Sequence, residues 1–354
     1  MSRRVLVTGG AGFIGANLAV ALATRHPDDE IVALDNLYRR GSELNLPRLR
    51  AAGVTFMHGD VRELEDLLAV GEVDALVECS AEPSVMAGVG GSPSVLVQTN
   101  LIGAYHCLEL ARRRGAQVIF LSTSRVYPVA PQLQIVLDEH DTRFEIAADQ
   151  ALPGVSPAGI SEAFPLDGAR TLYGATKLAA EHLICEYAET YGVQAVIDRC
   201  GVVAGPWQMG KVDQGVFTYW MLAHVLGRPL RYIGFGGSGK QVRDLLHVDD
   251  LVDLVEQQLA DPGAWAGHTV NVGGGRDVSL SLCETTALCA DIAGRRIAVE
   301  RSSDERPGDV PVYLSDCSRL AGMTAWRPRR SARQVLVDTF EWIVDNEQVV
   351  RQAL

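Results

Sequence analysis

Basic residues are in short supply: 32 Lys and Arg stand against 44 Asp and Glu in 354 residues, a formal charge of −12. That balance excludes generic binding to nucleic acid or to an anionic membrane, although a local basic pocket can still hold a phosphate. Cysteine pairing is missing as well. The seven cysteines, at 79, 107, 185, 200, 283, 289 and 317, form no CxxC and no zinc spacing, and their odd number leaves at least one unpaired within the chain. They read as reduced thiols of a cytoplasmic protein, and no metal site is expected. Long apolar runs are also absent. The stretch at 5–7 is too short for a signal peptide, and nothing later approaches the roughly 20 residues of a membrane span. With 47% hydrophobic and 21% charged residues the chain can bury a large core, which excludes disorder. The expected partner is a small molecule.

Glycine, by contrast, is plentiful at 35 residues, many of them where strands hand over to loops. The N-terminal half alternates short β-branched runs at 5–7, 30–34, 54–57, 75–79, 117–121 and 194–197 with helical patterns at 13–25, 63–69, 98–114 and 173–190. Such alternation is the signature of βαβ units, so the expected fold is α/β: a Rossmann-type doubly wound parallel sheet with a smaller mixed α/β lobe that binds substrate. Helical patterns return at 214–226, 249–260, 279–293 and 331–350, with short strands near 230–233 and 269–272. Residues 1–200 are expected to form mainly the nucleotide-binding domain, and 201–354 mainly the second lobe, with segments returning to the first. The stretch 138–170 shows no clear periodicity and is far longer than an ordinary connection, which predicts a working loop.

The sequence Thr8-Gly9-Gly10-Ala11-Gly12-Phe13-Ile14-Gly15 follows a strand and opens a helix. Its glycines permit a tight turn and close backbone approach, so a pyrophosphate can meet the helix N-terminus. Asp35, twenty residues beyond Gly15 at the end of the next strand, is placed to bind both ribose hydroxyls of an adenosine. Its charge favours NAD over NADP, with Arg39 and Arg40 close enough to temper that preference. Asp60, after His58-Gly59, can reach an adenine edge or simply close a turn.

Farther on, Tyr173-Gly174-Ala175-Thr176-Lys177 begins a long helical pattern, and its i,i+4 spacing places phenol and ammonium on one face. A positive charge beside a phenol favours the phenolate and suits Tyr173 to proton transfer. A packed tyrosine with a capped hydroxyl would give the same spacing. Ser122-Thr123-Ser124-Arg125-Val126-Tyr127 puts three hydroxyls at the C-terminal end of the fifth strand, the rim where open α/β sheets bind ligands.

Together these segments resemble the extended short-chain dehydrogenase/reductase superfamily, specifically its NAD-dependent nucleotide-sugar epimerases and dehydratases, over essentially the whole chain. The resemblance implies bound NAD, a nucleotide-diphosphate sugar as substrate and a homodimer. Tyr173 would be the acid/base, Lys177 would hold the nicotinamide ribose, and Thr123 would touch the reacting sugar. The cofactor would lie among Gly9, Gly12, Phe13, Ile14, Gly15, Asp35, Asn36, Arg39, Asp60, Val61, Ala81 and Asn100, besides Tyr173 and Lys177. Ser124, Arg125, Glu82, Gln214, Arg243 and Arg306 would face the substrate, the last two arginines at its phosphates. Dehydratases of this family carry Asp-Glu after the threonine. Here Ser124-Arg125 follows it, which points to epimerisation.

Within the family, Asp35-Asn36-Leu37-Tyr38-Arg39-Arg40-Gly41-Ser42, Asp213-Gln214-Gly215 and Lys240-Gln241-Val242-Arg243-Asp244 are similar to the CDP-paratose 2-epimerases (CDP-tyvelose epimerases). Two stretches depart from the family pattern. Glu78-Cys79-Ser80-Ala81-Glu82 replaces a His-x-Ala-Gly run, and would bring the Glu82 charge near nicotinamide or sugar if the backbone path is retained. Ala204-Gly205-Pro206 replaces a Tyr-Gly. A 4-epimerase acting on another nucleotide sugar, and a non-catalytic NAD-responsive regulatory protein, stay open beside the 2-epimerase reading. Ala180, Ile184 and Tyr187 form part of an apolar stripe on the helix after Tyr173, serving a dimer face or an intramolecular core equally well.

Overall fold

The computed structural model describes residues 2–210 and 215–353. Seven strands of the main sheet are β1 (Arg4–Thr8), β2 (Glu30–Asp35), β3 (Thr55–His58), β4 (Ala75–Glu78), β5 (Gln117–Thr123), β6 (Ala195–Cys200) and β7 (Thr269–Val272). They run in the order β7-β6-β5-β4-β1-β2-β3, and the β1–β2, β2–β3, β1–β4 and β4–β5 pairings are parallel. This is the expected Rossmann-type sheet. Its strand order reverses between β1 and β4, and ligands of such sheets bind beyond the carboxyl ends of the strands at that reversal. The loops at that point are 9–15 after β1 and 79–82 after β4.

Four helices matter for the site: α1 (Phe13–Arg25), α2 (Gly103–Arg114), α3 (Leu172–Tyr191) and α4 (Val248–Ala260). A single turn of π-helix, Gln98–Ile102, leads into α2. The chain divides into two compact units, the first comprising 1–123, 172–199 and 252–269, the second 124–171, 200–251 and 270–354. In the first, Leu6, Val32, Leu76, Val118 and Ile197 of the sheet pack with Leu108 and Ala111 of α2 and with Ala180 and Ile184 of α3. Burial of this kind is worth about 25 cal/mol per Å² of apolar surface. The stripe on α3 is thus core: Ala180 and Ile184 are buried, and the Tyr187 hydroxyl donates to Glu109.

The second unit is mixed α/β. Its four-stranded sheet joins Val202–Ala204, Val242–His247, Ser279–Ser281 and Val312–Tyr313. Helices Val216–Leu226, Leu282–Ala293 and Ala332–Asp345 supply its core through Phe217, Met221, Cys289, Leu336 and Ile343. Leu282–Ala293 starts where it does because Ser281 accepts from the Glu284 N–H while Glu284 accepts from the Ser281 N–H, satisfying two otherwise orphaned donors.

In and beside 138–170, the stretch without clear periodicity, two short antiparallel pairs occur: Leu137–Glu139 with Phe144–Ile146, and Val155–Ser156 with Gly159–Ile160. All seven cysteines are free thiols, as expected. Among the described residues no helix is long and apolar enough to cross a membrane, and no cluster of three metal-ligating side chains occurs.

Candidate active site

The glycine loop is shaped by contacts that only glycine permits. Gly9 adopts φ +61°, and a side chain on it would meet the Cys79 carbonyl at 2.9 Å. A Cβ on Gly15 would lie 2.2 Å from the Gly9 carbonyl oxygen, so α1 packs directly on the turn that precedes it. Gly12 caps α1 without a side-chain hydrogen bond, and the first turn carries no acidic residue. The N–H groups there are therefore open to an anion, which the helix dipole also favours. We expect Gly15→Ala to push this turn open and weaken NAD binding by about tenfold or more in calorimetric titration, the equivalent of roughly 1.4 kcal/mol. Gly91→Ala, with nothing within 4 Å of the added carbon, leaves the affinity unchanged.

Asp35, ending β2, accepts from the backbone N–H of Leu37 at 2.7 Å and of Ala11 at 3.1 Å. Burial pushes its carboxyl above the usual range, against the pull of those hydrogen bonds. Asn36 donates to Asp60 at 2.8 Å, tying the ends of β2 and β3 together. Asp60 also receives Arg62. Burial raises this carboxyl, but the hydrogen bonds from Arg62 and Asn36 outweigh it and hold Asp60 at about 2. Val61 is core, its carbonyl facing a His106 ring nitrogen, while Phe13, Ile14, Arg39 and Ala81 are half-buried around the loops.

Asn100, from the π-turn, accepts from the Glu82 N–H at 2.7 Å and donates to the Glu82 carbonyl at 3.1 Å. It also reaches the Thr176 hydroxyl on α3 at 3.4 Å. Asn100 thereby ties the loop after β4 to the helix that carries Tyr173 and Lys177. The Glu82 side chain turns back to accept from the Ser84 N–H.

Thr123 ends β5 and is buried; Tyr173 opens α3 half-buried, and Lys177 follows one turn later, fully buried. Two acidic residues support this arrangement. Glu181 accepts from the Ser122 hydroxyl on β5 at 2.5 Å and from the Arg199 guanidinium on β6 at 2.7–3.1 Å, joining both strands to α3. Glu78, the last residue of β4, meets Lys177 Nζ at 3.3 Å. Sequence reasoning missed both roles. The signal available was a charge inside an apolar strand and another inside a helix face otherwise counted as core.

In the second unit, Ser124, Arg125, Tyr127, Gln132, Arg243 and Tyr313 are among the residues lining a pocket. Of these lining residues, Tyr313 and Gln132 carry a buried polar atom each, the hydroxyl and Oε1, with no hydrogen-bond partner among the described residues, which suits a polar ligand nearby. Arg125 donates to the Gly308 carbonyl at 3.1 Å. Arg243 donates to Asp309 and to the Val310 carbonyl, both at 2.6 Å, so an incoming phosphate would compete with Asp309. Arg306 is half-buried in the same segment. Gln214 lies outside the described residues.

Residues 5–273 match the model of the family described as "NAD dependent epimerase/dehydratase family". The chain is 28% identical to the CDP-paratose 2-epimerase of Salmonella typhi, over 96% of this chain and 98% of that protein. It is 30% identical to the dTDP-glucose 4,6-dehydratase of Mycobacterium tuberculosis, over 97% and 94%. Among solved structures, a dTDP-glucose 4,6-dehydratase double mutant from Streptomyces venezuelae with NAD bound superposes with a TM-score of 0.80 at 28% identity, covering 99% of this chain and all (100%) of the other. The UDP-glucose 4-epimerase of Thermus thermophilus in complex with NAD gives 0.76 at 26%, covering 96% and 99%. On the family match and the relatives that span nearly its full length, this chain belongs to the NAD-dependent epimerase/dehydratase family.

Proposed function

We propose that this protein is an NAD-dependent nucleotide-sugar epimerase that inverts one carbon through a transient keto sugar. The cofactor is NAD, and the loop 9–15, Asp35 and Lys177 are the residues that would hold it. The observation that carries epimerisation over dehydration is the pair Ser124-Arg125 directly after Thr123. Loss of water needs an acid and a base at the adjacent carbons, and neither a serine hydroxyl nor a guanidinium serves as both.

When bound, NAD would supply reversible hydride transfer at the reacting carbon. Tyr173 takes the proton from the sugar hydroxyl as that carbon becomes a carbonyl, and Lys177 on the same helix face favours the phenolate that this requires. Thr123 hydrogen-bonds the reacting oxygen and steadies its developing charge. After the ketone presents its other face, Tyr173 returns the proton and the configuration is inverted with no net oxidation. Residues 138–170 would cover the ligand and exclude water. Arg243 and Arg306 would meet the diphosphate, with the unpartnered atoms of Tyr313 and Gln132 available to polar groups of the substrate.

The substrate we favour is CDP-paratose or CDP-tyvelose, or a related CDP-deoxysugar, with inversion at C2. Support comes from the sequence stretches shared with the CDP-paratose 2-epimerases and from the similarity to the Salmonella enzyme over nearly both full lengths. A homodimer belongs to this reading, with the exposed Tyr105 on α2 and Tyr191 on α3 as surface available for it.

The test is incubation of purified protein with CDP-paratose, CDP-tyvelose and a panel of UDP-, GDP- and dTDP-sugars, followed by NMR without added reductant. Interconversion of the CDP pair at C2 is expected. Inversion at C4 alone would replace the assigned carbon and substrate, formation of a 4-keto-6-deoxy sugar would make the protein a dehydratase, and NAD binding without any turnover would favour a regulatory role.

A further inference from the structure

Glu78 is a buried charge that the mechanism above leaves unused. It ends β4, a strand otherwise made of Ala75, Leu76 and Val77, and is 1% exposed. Its Oε2 stands 3.3 Å from Nζ of Lys177, 99 residues later in the chain. The same Nζ lies 4.0 Å from the centroid of the Phe120 ring on β5. Both side chains of the pair are 2% exposed. An ammonium this far from water is costly to keep charged unless an opposite charge sits beside it, and an aromatic face adds a smaller attraction.

We propose that Glu78 is a positioning residue that holds the Lys177 ammonium charged and directed at β4, so that its field acts on Tyr173 one helical turn away. The inference rests on the reading of Tyr173 as the acid/base of the proposed reaction. Glu78 acts through Lys177 and touches neither cofactor nor sugar in this role. The groups that face the pair are few. Cys79 follows Glu78, and Cys107 stands on α2; burial, with the Glu78 charge adding to it, pushes both thiols up and keeps them neutral. Thr8 ends β1, paired in register with Glu78. On α3 itself Tyr173 and Glu181 lie one turn to either side of Lys177, and Glu181 is matched by Arg199. Burial leaves the Glu78 carboxyl above its usual range, with the Lys177 ammonium and the Ser80 N–H pulling it back. Truncating the carboxylate leaves Lys177 without its counter-charge, which favours loss of the ammonium's proton and of its help to the phenol.

The ionisation of Tyr173 can be followed without substrate. The phenolate absorbance of the full chain with NAD present is titrated against pH, and the titration of Tyr173→Phe is subtracted to isolate one tyrosine. In Glu78→Gln the Tyr173 midpoint is expected to rise by about one pH unit. Glu78→Asp, which draws the carboxylate back by one methylene, is expected to move it part of the way, and carries the test if Glu78→Gln does not fold. Lys177→Met should raise the midpoint as Glu78→Gln does, and the double variant should add nothing further. An unchanged or lowered midpoint in a folded Glu78 variant overturns the proposal, as does a wild-type Tyr173 that titrates no earlier than an exposed tyrosine. Because no turnover enters the measurement, a failed search for the sugar would sink the proposed reaction and leave this result standing.

Discussion

Replacing Tyr173 by Phe is expected to lower turnover on the order of 10²- to 10⁴-fold while leaving the fold and NAD affinity unchanged. The phenol sits in the first turn of α3, half-buried, and the substitution keeps the ring and removes only the hydroxyl that moves the proton. No core contact is lost, because the apolar face of α3 that supports unit 1 begins farther along, at Ala180 and Ile184. NAD affinity should persist because, of the residues expected around the cofactor, only the Tyr173 hydroxyl is removed, while the glycine loop, Asp35 and Lys177 stay in place. The measurement is the rate of sugar interconversion by NMR, with NAD binding and the denaturation midpoint recorded on the same sample. Residual activity above about a tenth of wild type would place the proton transfer on another group, since general acid–base catalysis contributes more than that. A collapse of NAD binding in the same variant would instead make the hydroxyl part of the cofactor site.

The fold is legible where a short apolar run rich in valine coincides with a strand buried on both faces. Val5, Leu6 and Val7 are such a run, and the helix that follows, Phe13–Arg25, has the bounds that the pattern of its residues predicts. Legibility fails where charge interrupts the run. Val242–His247 is a central strand of the second sheet, yet its Arg243 and Asp244 mask it, because nothing local reveals that Asp244 is buried and bonded to the backbone of Gly275 and Ser315. Residues 138–170 defeat pattern reading for a different reason. Strands of two or three residues are too short to show a period of two.

The site divides along the same line. Glycines and the Tyr173–Lys177 spacing are local features, readable because five to seven consecutive residues define them. The supports are not local: Glu78 and Lys177 meet across 99 residues, and Asn100 and Glu82 meet across a loop whose path the sequence does not specify. The apolar stripe of α3 is compatible in sequence with a dimer face or with core; its Ala180 and Ile184 turn inward and join Val118, Phe120 and Ile197 of β5 and β6 in one cluster. The Glu82 side chain accepts from the Ser84 N–H, and Asn100 clamps the Glu82 backbone.

The second large effect concerns stability. Asp198 lies in the middle of β6, fully buried, and accepts one hydrogen bond, from Gln258 of α4 at 2.8 Å; its other oxygen has none among the described residues. Burial pushes its carboxyl up to about 7, a gap of about three pH units above the ordinary value, with only the Gln258 hydrogen bond pulling the other way. In the unfolded chain the same carboxyl ionises near its ordinary value. Between the two values folding must take up a proton, so stability falls as pH rises, and it levels off once the folded carboxyl is itself ionised. Full expression of such a gap is worth roughly 4 kcal/mol, an upper bound that water penetration reduces. Asp198→Asn keeps the shape and the bond from Gln258 but has no charge to bury. The variant should therefore be more stable than wild type in urea unfolding, and its advantage should grow by about 2 kcal/mol from pH 5.5 to pH 8.5. An advantage that is flat or shrinks over that interval would mean that Asp198 is already ionised in the folded chain at the lower pH. The sign separates this residue from Asp60, whose depressed carboxyl stabilises the fold at neutral pH and loses that contribution only as pH falls towards about 2.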